Sequence, residues 1–122
     1  MEQNEKNKIL IVDDSEMVRN FHTYILKMFG YHVGTAENGA VALEKLLMGD
    51  YHLLITDINM PKMDGYELIQ NVHSQGIDIP IIIVSTEEEH KGNNAGINTG
   101  RGIHMVKPTD PGKLVSTVRR LL

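Results

Sequence analysis

Apolar residues in this chain gather into short, unbroken runs, and each run ends on polar residues. Ile9-Leu10-Ile11-Val12 follows Lys8 and stops at Asp13-Asp14, and Leu53-Leu54-Ile55 leads through Thr56 to Asp57. Ile81-Ile82-Ile83-Val84 stops at Ser85-Thr86, and Ile103-His104-Met105-Val106 stops at Lys107. Runs this short and this uniformly apolar predict strands covered on both faces, as in a parallel sheet. Pro61 cannot donate to a ladder and so ends the third strand, whereas Pro80 is tolerated just ahead of the fourth. Residues 31–36 alternate more weakly and predict a strand near a sheet edge.

Helical spacing fills the gaps between these runs. Val18, Phe21, Ile25 and Phe29 fall on one helical face, with N-cap candidates in Asp13-Asp14-Ser15 and a left-handed stop at Gly30. Residues 40–48 are strong helix formers closed by Gly49-Asp50. After a turn at Met63-Asp64-Gly65, residues from about 66 to 75 predict a third helix with Leu68, Ile69 and Val72 inward and Gly76 as its end. Thr86-Glu87-Glu88-Glu89 reads as a capping box opening a fourth helix, which Gly92, Gly96, Gly100 and Gly102 should leave short or labile. Asp110-Pro111 caps the last helix, whose buried stripe is Leu114, Val115, Val118, Leu121 and Leu122. Arg119 and Arg120 complement its negative end.

Strands alternating with helices predict an α/β fold with helices on both faces of a parallel sheet, joined by right-handed crossovers. In such a sheet the ligand crevice lies outside the carboxyl ends of the strands. Asp13, Asp14, Asp57, Ser85, Thr86 and Lys107 all stand at such ends. Alone, each has an ordinary explanation: a loop carboxylate, a helix cap, a surface lysine. Together they do not, because clustered carboxylates repel and need a cation or a proton to compensate them. An all-oxygen donor set suits a hard ion such as Mg²⁺, which phosphate oxygens usually complete, and an ammonium nearby can serve a phosphoryl oxygen as a point charge.

Composition narrows the field. The 122 residues suit one domain, expected over 1–122 with residues 1–7 frayed and no output domain attached. There is no cysteine, which excludes disulfides and thiolate metal sites. The polar start lacks a signal peptide's apolar core and no run is long enough to span a membrane, so a cytoplasmic location without membrane insertion is expected. A net charge of -4 with no basic cluster argues against direct nucleic-acid binding.

Asp13-Asp14 after the first strand, Asp57-Ile58-Asn59-Met60-Pro61 with Met63-Asp64-Gly65 after the third, Ser85 after the fourth and Lys107-Pro108 after the fifth resemble the receiver domain of two-component response regulators, nearest to the stand-alone, CheY-like chemotaxis type. The resemblance covers nearly the whole chain. It implies a flavodoxin-like (CheY-like), doubly wound, five-stranded parallel sheet of order 2-1-3-4-5. It further implies that Asp57 accepts a phosphoryl group from a sensor histidine kinase or a small acyl phosphate, while Asp13, Asp14, Asp57 and the backbone carbonyl of Asn59 serve Mg²⁺. Lys107 would pair with a phosphoryl oxygen, and Ser85 would move in to donate a hydrogen bond to it. A downstream protein would bind the face made by the fourth helix, fifth strand and fifth helix of a monomer.

Several positions vary within that pattern. Ser85 keeps the hydroxyl of the commoner threonine. Thr86 stands where a smaller residue is usual and crowds access to Asp57, and Asn59 with Glu87 matches the chemotaxis-type pair at the positions that tune acyl-phosphate hydrolysis. His104 replaces the customary aromatic switch residue. Two other functions fit less well. A Mg²⁺-dependent phosphatase of the haloacid-dehalogenase type also uses an aspartate nucleophile but wants a second acid where Asn59 stands, and a flavin or nucleotide carrier wants a glycine-rich loop after the first strand.

Overall fold

The computed structural model describes residues 7–86 and 102–122. The strands are β1 (Lys8–Val12), β2 (His32–Ala36), β3 (Leu53–Asp57), β4 (Ile81–Ser85) and β5 (Ile103–Val106). The helices are α1 (Glu16–Met28), α2 (Gly39–Met48), α3 (Gly65–Ser74) and α4 (Pro111–Leu121). All strand pairs are parallel and the order is β2-β1-β3-β4-β5, which bears out the expected sheet. Glu87 and the helix expected to begin at the Thr86–Glu89 capping box lie outside the described residues.

Alternation along each strand divides the core between the two faces of the sheet. Leu10, Val12, Leu54, Ile81 and Ile83 pack beneath α2 and α3, against Leu46, Leu68, Ile69 and Val72. Ile9, Ile11, Ile55, Ile82 and Val84 turn the other way, toward Ile25 and Leu26 of α1 and Leu114, Val115 and Val118 of α4. Every residue of β3 and β4 is buried, as expected for strands covered on both sides. Each large side chain so buried contributes about 1.5–3 kcal/mol.

The first helix corrects one expectation. Its buried residues are His22, Ile25 and Leu26, while Phe21 and Phe29 are 42% and 50% exposed. The inward face is thus rotated by about one residue from the predicted Val18-Phe21-Ile25-Phe29 stripe, because a histidine takes a core position and a phenylalanine leaves it. Phe29 lies beneath the guanidinium of Arg119, 5.7 Å from ring centroid to Cζ. Ser15, rather than either aspartate before it, caps α1, its Oγ accepting from the Val18 amide. Gly30 has φ +92°, the left-handed stop anticipated for it.

The loop after β3 folds back so that α3 begins directly on the acidic strand end. Asp64 caps α3 in a reciprocal box with Glu67, and the Gly65 amide donates to the Ile58 carbonyl at 2.7 Å. A Cβ on Gly65 would collide with the backbone carbonyl of Asp57, an atom that cannot yield as a flexible side chain would. Gly65→Ala should therefore cost about 1–3 kcal/mol, the usual range for overpacking. A urea titration reads this as a lowered midpoint, and an unchanged midpoint would show that the loop relaxes freely.

Candidate functional site

Four strand ends bring the predicted residues together. Asp13 follows β1 and is only 2% exposed, its Oδ1 accepting from the Ser15 amide at 2.9 Å. Arg19 Nη1 donates to the Asp13 carbonyl at 2.6 Å and ties the strand end to α1. Since Ser15 takes the cap, the acidic pair is not consumed by helix capping. Asp14 is exposed and Asp57 is 5% exposed, and one carboxylate oxygen from each of Asp13, Asp14 and Asp57 lies within 4.8 Å of the others.

Lys107 is not a surface lysine. Its Nζ lies 3.1 Å from Asp13 Oδ2 and 3.1 Å from Asp57 Oδ1, bridging two buried acids. Its backbone amide donates to the Ser85 carbonyl at 2.7 Å, and its peptide bond to Pro108 is cis. Burial would lower the Lys107 pKa, but Asp57 and Asp13 outweigh burial and raise it. Asp57 moves the other way from an ordinary buried salt-bridge acid: burial, then the charge of Asp13, pushes it up to about 6 against the opposing pull of Lys107 and the Ile58 amide. The lysine therefore compensates the acids only in part, and the cluster keeps an excess of negative charge that a hard divalent cation fits.

Asp57 Oδ1 accepts from both Lys107 Nζ and the Ile58 amide, at 3.1 and 2.9 Å. Ser85 Oγ is fully buried beside it in the sheet and has no hydrogen-bond partner among the described residues. Leaving such a hydroxyl unmet costs about 1–3 kcal/mol, which leaves it able to donate to a group that enters the site. Asn59 and Thr86 are exposed at the rim. His104, opposite Ile83 on β5, is partly buried.

Two residues near the site were not anticipated. His22 of α1 and Thr109 of the loop after β5 are 2% and 5% exposed and share a hydrogen bond of 2.8 Å between Nε2 and Oγ1. Burial lowers the His22 pKa and Lys107 lowers it further, against the pull of Asp13. The pair borders a cavity of about 530 Å³ whose walls include Met17, Val18, Phe21, Thr86 and Lys107.

The response regulator receiver domain model matches residues 9–119. The chain belongs to that family. Among solved structures, the receiver is similar to the chemotaxis protein CheY4 of Vibrio cholerae, with TM-score 0.85, 35% identity and coverage of 95% of this chain and 98% of that one. It is also similar to the response regulator TrrA of Thermotoga maritima, solved in complex with Mg²⁺-BeF, with TM-score 0.84, 31% identity and coverage of 95% and 99%. A probable transcriptional regulator, ycf27 of Cyanophora paradoxa, is 37% identical over 117 residues, which is 96% of this chain and 48% of the relative. The chain spans about half the length of the first curated relatives it matches. Receivers accept phosphoryl groups from histidine kinases and are signalling modules, not catalytic enzymes. No helix among the described residues is long and apolar enough to cross a membrane.

The raised pKa of Asp57 carries a stability consequence. A carboxyl whose folded pKa lies above its unfolded one stabilises the fold fully below the unfolded value of 3.8, and that contribution is lost as pH rises through about 6. At pH 7 without divalent cations, the ionised Asp57 thus costs roughly 2–3 kcal/mol. Asp57→Asn should be more stable than the wild type by about that amount at pH 7, with the difference vanishing near pH 4. Paired denaturant titrations with chelator across this range check it, and a pH-independent difference would contradict the charge argument.

Proposed function

We propose that Asp57 is the phosphoryl acceptor of this receiver, phosphorylated by a sensor histidine kinase or a small acyl phosphate. The observation that carries the reading is Lys107 Nζ held 3.1 Å from Asp57 Oδ1 beside a carboxylate triad. In this reading Asp57 Oδ2 attacks phosphorus, a P–O bond to Asp57 forms, and the bond from phosphorus to the donor's nitrogen or oxygen breaks with its electron pair leaving on the donor. Phosphoryl transfer asks little of a protein beyond placement and charge neutralisation. Lys107 meets a phosphoryl oxygen, and Ser85 donates its unmet hydroxyl to another.

Asp13, Asp14, Asp57 and the Asn59 carbonyl hold Mg²⁺, with Asp13 acting mainly through water. The oxygen donor set, the negative charge that Lys107 leaves uncompensated, and the likeness to TrrA, whose structure contains Mg²⁺-BeF, support this choice. When bound, the ion neutralises charge shared between the carboxylates and the incoming phosphoryl group. Asn59, Thr86 and Glu87 tune how long the acyl phosphate lasts.

Phosphorylation replaces one negative charge by nearly two and adds strong acceptors, and Ser85 and His104 relay that change. The signal leaves through β5, α4 and the segment that joins β4 to β5, where a protein partner docks on a monomer in the cytoplasm. A cavity of about 530 Å³ walled by His104, Met105, Val106, Lys113 and Arg120 gives that face relief for a partner to fill. The likeness to CheY4 favours a chemotaxis pathway.

Incubation with Mg²⁺ and acetyl phosphate, followed by intact-mass measurement, tests the acceptor. Wild type should gain one phosphoryl group and Asp57→Asn none, and equal uptake by the asparagine variant would remove Asp57 from the role. Mg²⁺ alone should raise the melting temperature at neutral pH, by the equivalent of about 2.7 kcal/mol at a hundred times its dissociation constant. A flat melting temperature across a magnesium titration would count against the metal site.

A further inference from the structure

The segment from Lys107 to Asp110 carries the ammonium of the site, yet it is a short loop with only one buried side chain, Thr109. Its Oγ1 meets His22 Nε2 at 2.8 Å, across 87 residues of sequence. His22 in turn occupies the inward face of α1 next to Ile25, where an apolar residue would serve packing better. The arrangement is costly, because His22 Nδ1 is buried without a hydrogen-bond partner among the described residues. With the imidazole neutral, the less costly tautomer has Nε2–H donating to Thr109 Oγ1 and leaves a bare lone pair on Nδ1, since an unmet N–H is the rarer defect. Geometry offers a use for a polar pair in this place.

Both partners sit one short step from the charged cluster. Arg19, three residues before His22, holds the Asp13 carbonyl at 2.6 Å, and Lys107, two residues before Thr109, bridges Asp13 and Asp57. The hydrogen bond therefore closes a ring that runs from α1 through Asp13 to Lys107 and back through Thr109. We propose that the His22–Thr109 hydrogen bond is a positioning element that anchors the Lys107 loop on α1 and so holds the ammonium where the phosphoryl group is received. Neither residue touches the reacting atoms. Both act through Lys107, so the inference rests on the role given to Lys107 above.

The test measures two affinities on the same proteins: Mg²⁺ alone, and beryllofluoride in saturating Mg²⁺ as a stand-in for the phosphoryl group. Thr109→Val removes the hydroxyl and keeps the shape, and it should weaken beryllofluoride binding about fivefold, the worth of one ordinary hydrogen bond. Thr109→Ser should restore binding to within about twofold of wild type, and Mg²⁺ affinity should not fall in either variant, because the carboxylates stay in place. A role confined to stability would instead loosen α1 and weaken both ligands together, and that outcome overturns the proposal. If Thr109→Val does not fold, His22→Gln against His22→Leu makes the same comparison, with the glutamine amide as donor. Wild-type binding of beryllofluoride with no loss in Thr109→Val would overturn this inference and leave the proposed function standing. A wild type that binds no beryllofluoride would overturn both.

Discussion

Like charges that cannot move apart set the terms for this molecule. Asp13 and Asp57 are buried at the ends of neighbouring parallel strands, and the ladder between β1 and β3 leaves them no freedom to separate. A fold optimised for stability alone would replace one of them. Instead the chain brings a lysine from the far end of the sequence to bridge the pair, and even so Asp57 resists ionisation. The residual field is the resource that the site uses. It favours cations, and it makes the region sensitive to any added charge.

The surrounding architecture can tolerate that field because the rest of the core is uniformly apolar. β3 and β4 are buried at every position, and two separate hydrophobic clusters clamp the sheet from both sides. Electrostatic cost is confined to one end of the strands, while dispersion and apolar burial hold the remainder. The stability given up at the carboxyl ends is thus offset at a distance. This division lets the acidic residues be placed for chemistry without threatening the sheet.

Much of this was legible in the sequence, for identifiable reasons. Runs of three or four apolar residues that stop on polar ones suit doubly covered strands, so a parallel sheet with polar strand ends followed from pattern, while its strand order is what the family resemblance implies. The acids after β1 and β3 met as expected, because parallel strands necessarily deliver their ends to one side. The pairing of Lys107 with a phosphoryl oxygen is what the family resemblance implies, and its bridge between Asp13 and Asp57 is visible only in the structure, since no local feature separates it from a surface lysine. The orientation of α1 departs from the apolar spacing because His22 faces the core while Phe21 and Phe29 do not. Its reason for being inside is Thr109, and a hydrogen bond between positions 87 residues apart leaves no periodic trace in either neighbourhood. Ser15 was one of several plausible caps, and only the geometry shows that Asp13 and Asp14 are released from that duty.

The two donors on Asp57 both occupy Oδ1. With one oxygen held from the backbone and from Lys107 at once, the carboxylate cannot spin to present either edge at will. Its two oxygens, chemically equal in solution, become distinguishable here: Oδ1 is an anchor, and in the proposed function Oδ2 is the working edge. Transfer to that edge would then have a single line of approach, with the departing group leaving opposite it. Discrimination among donors becomes a matter of what shape can stand on that line, so selectivity is written in direction as well as in charge.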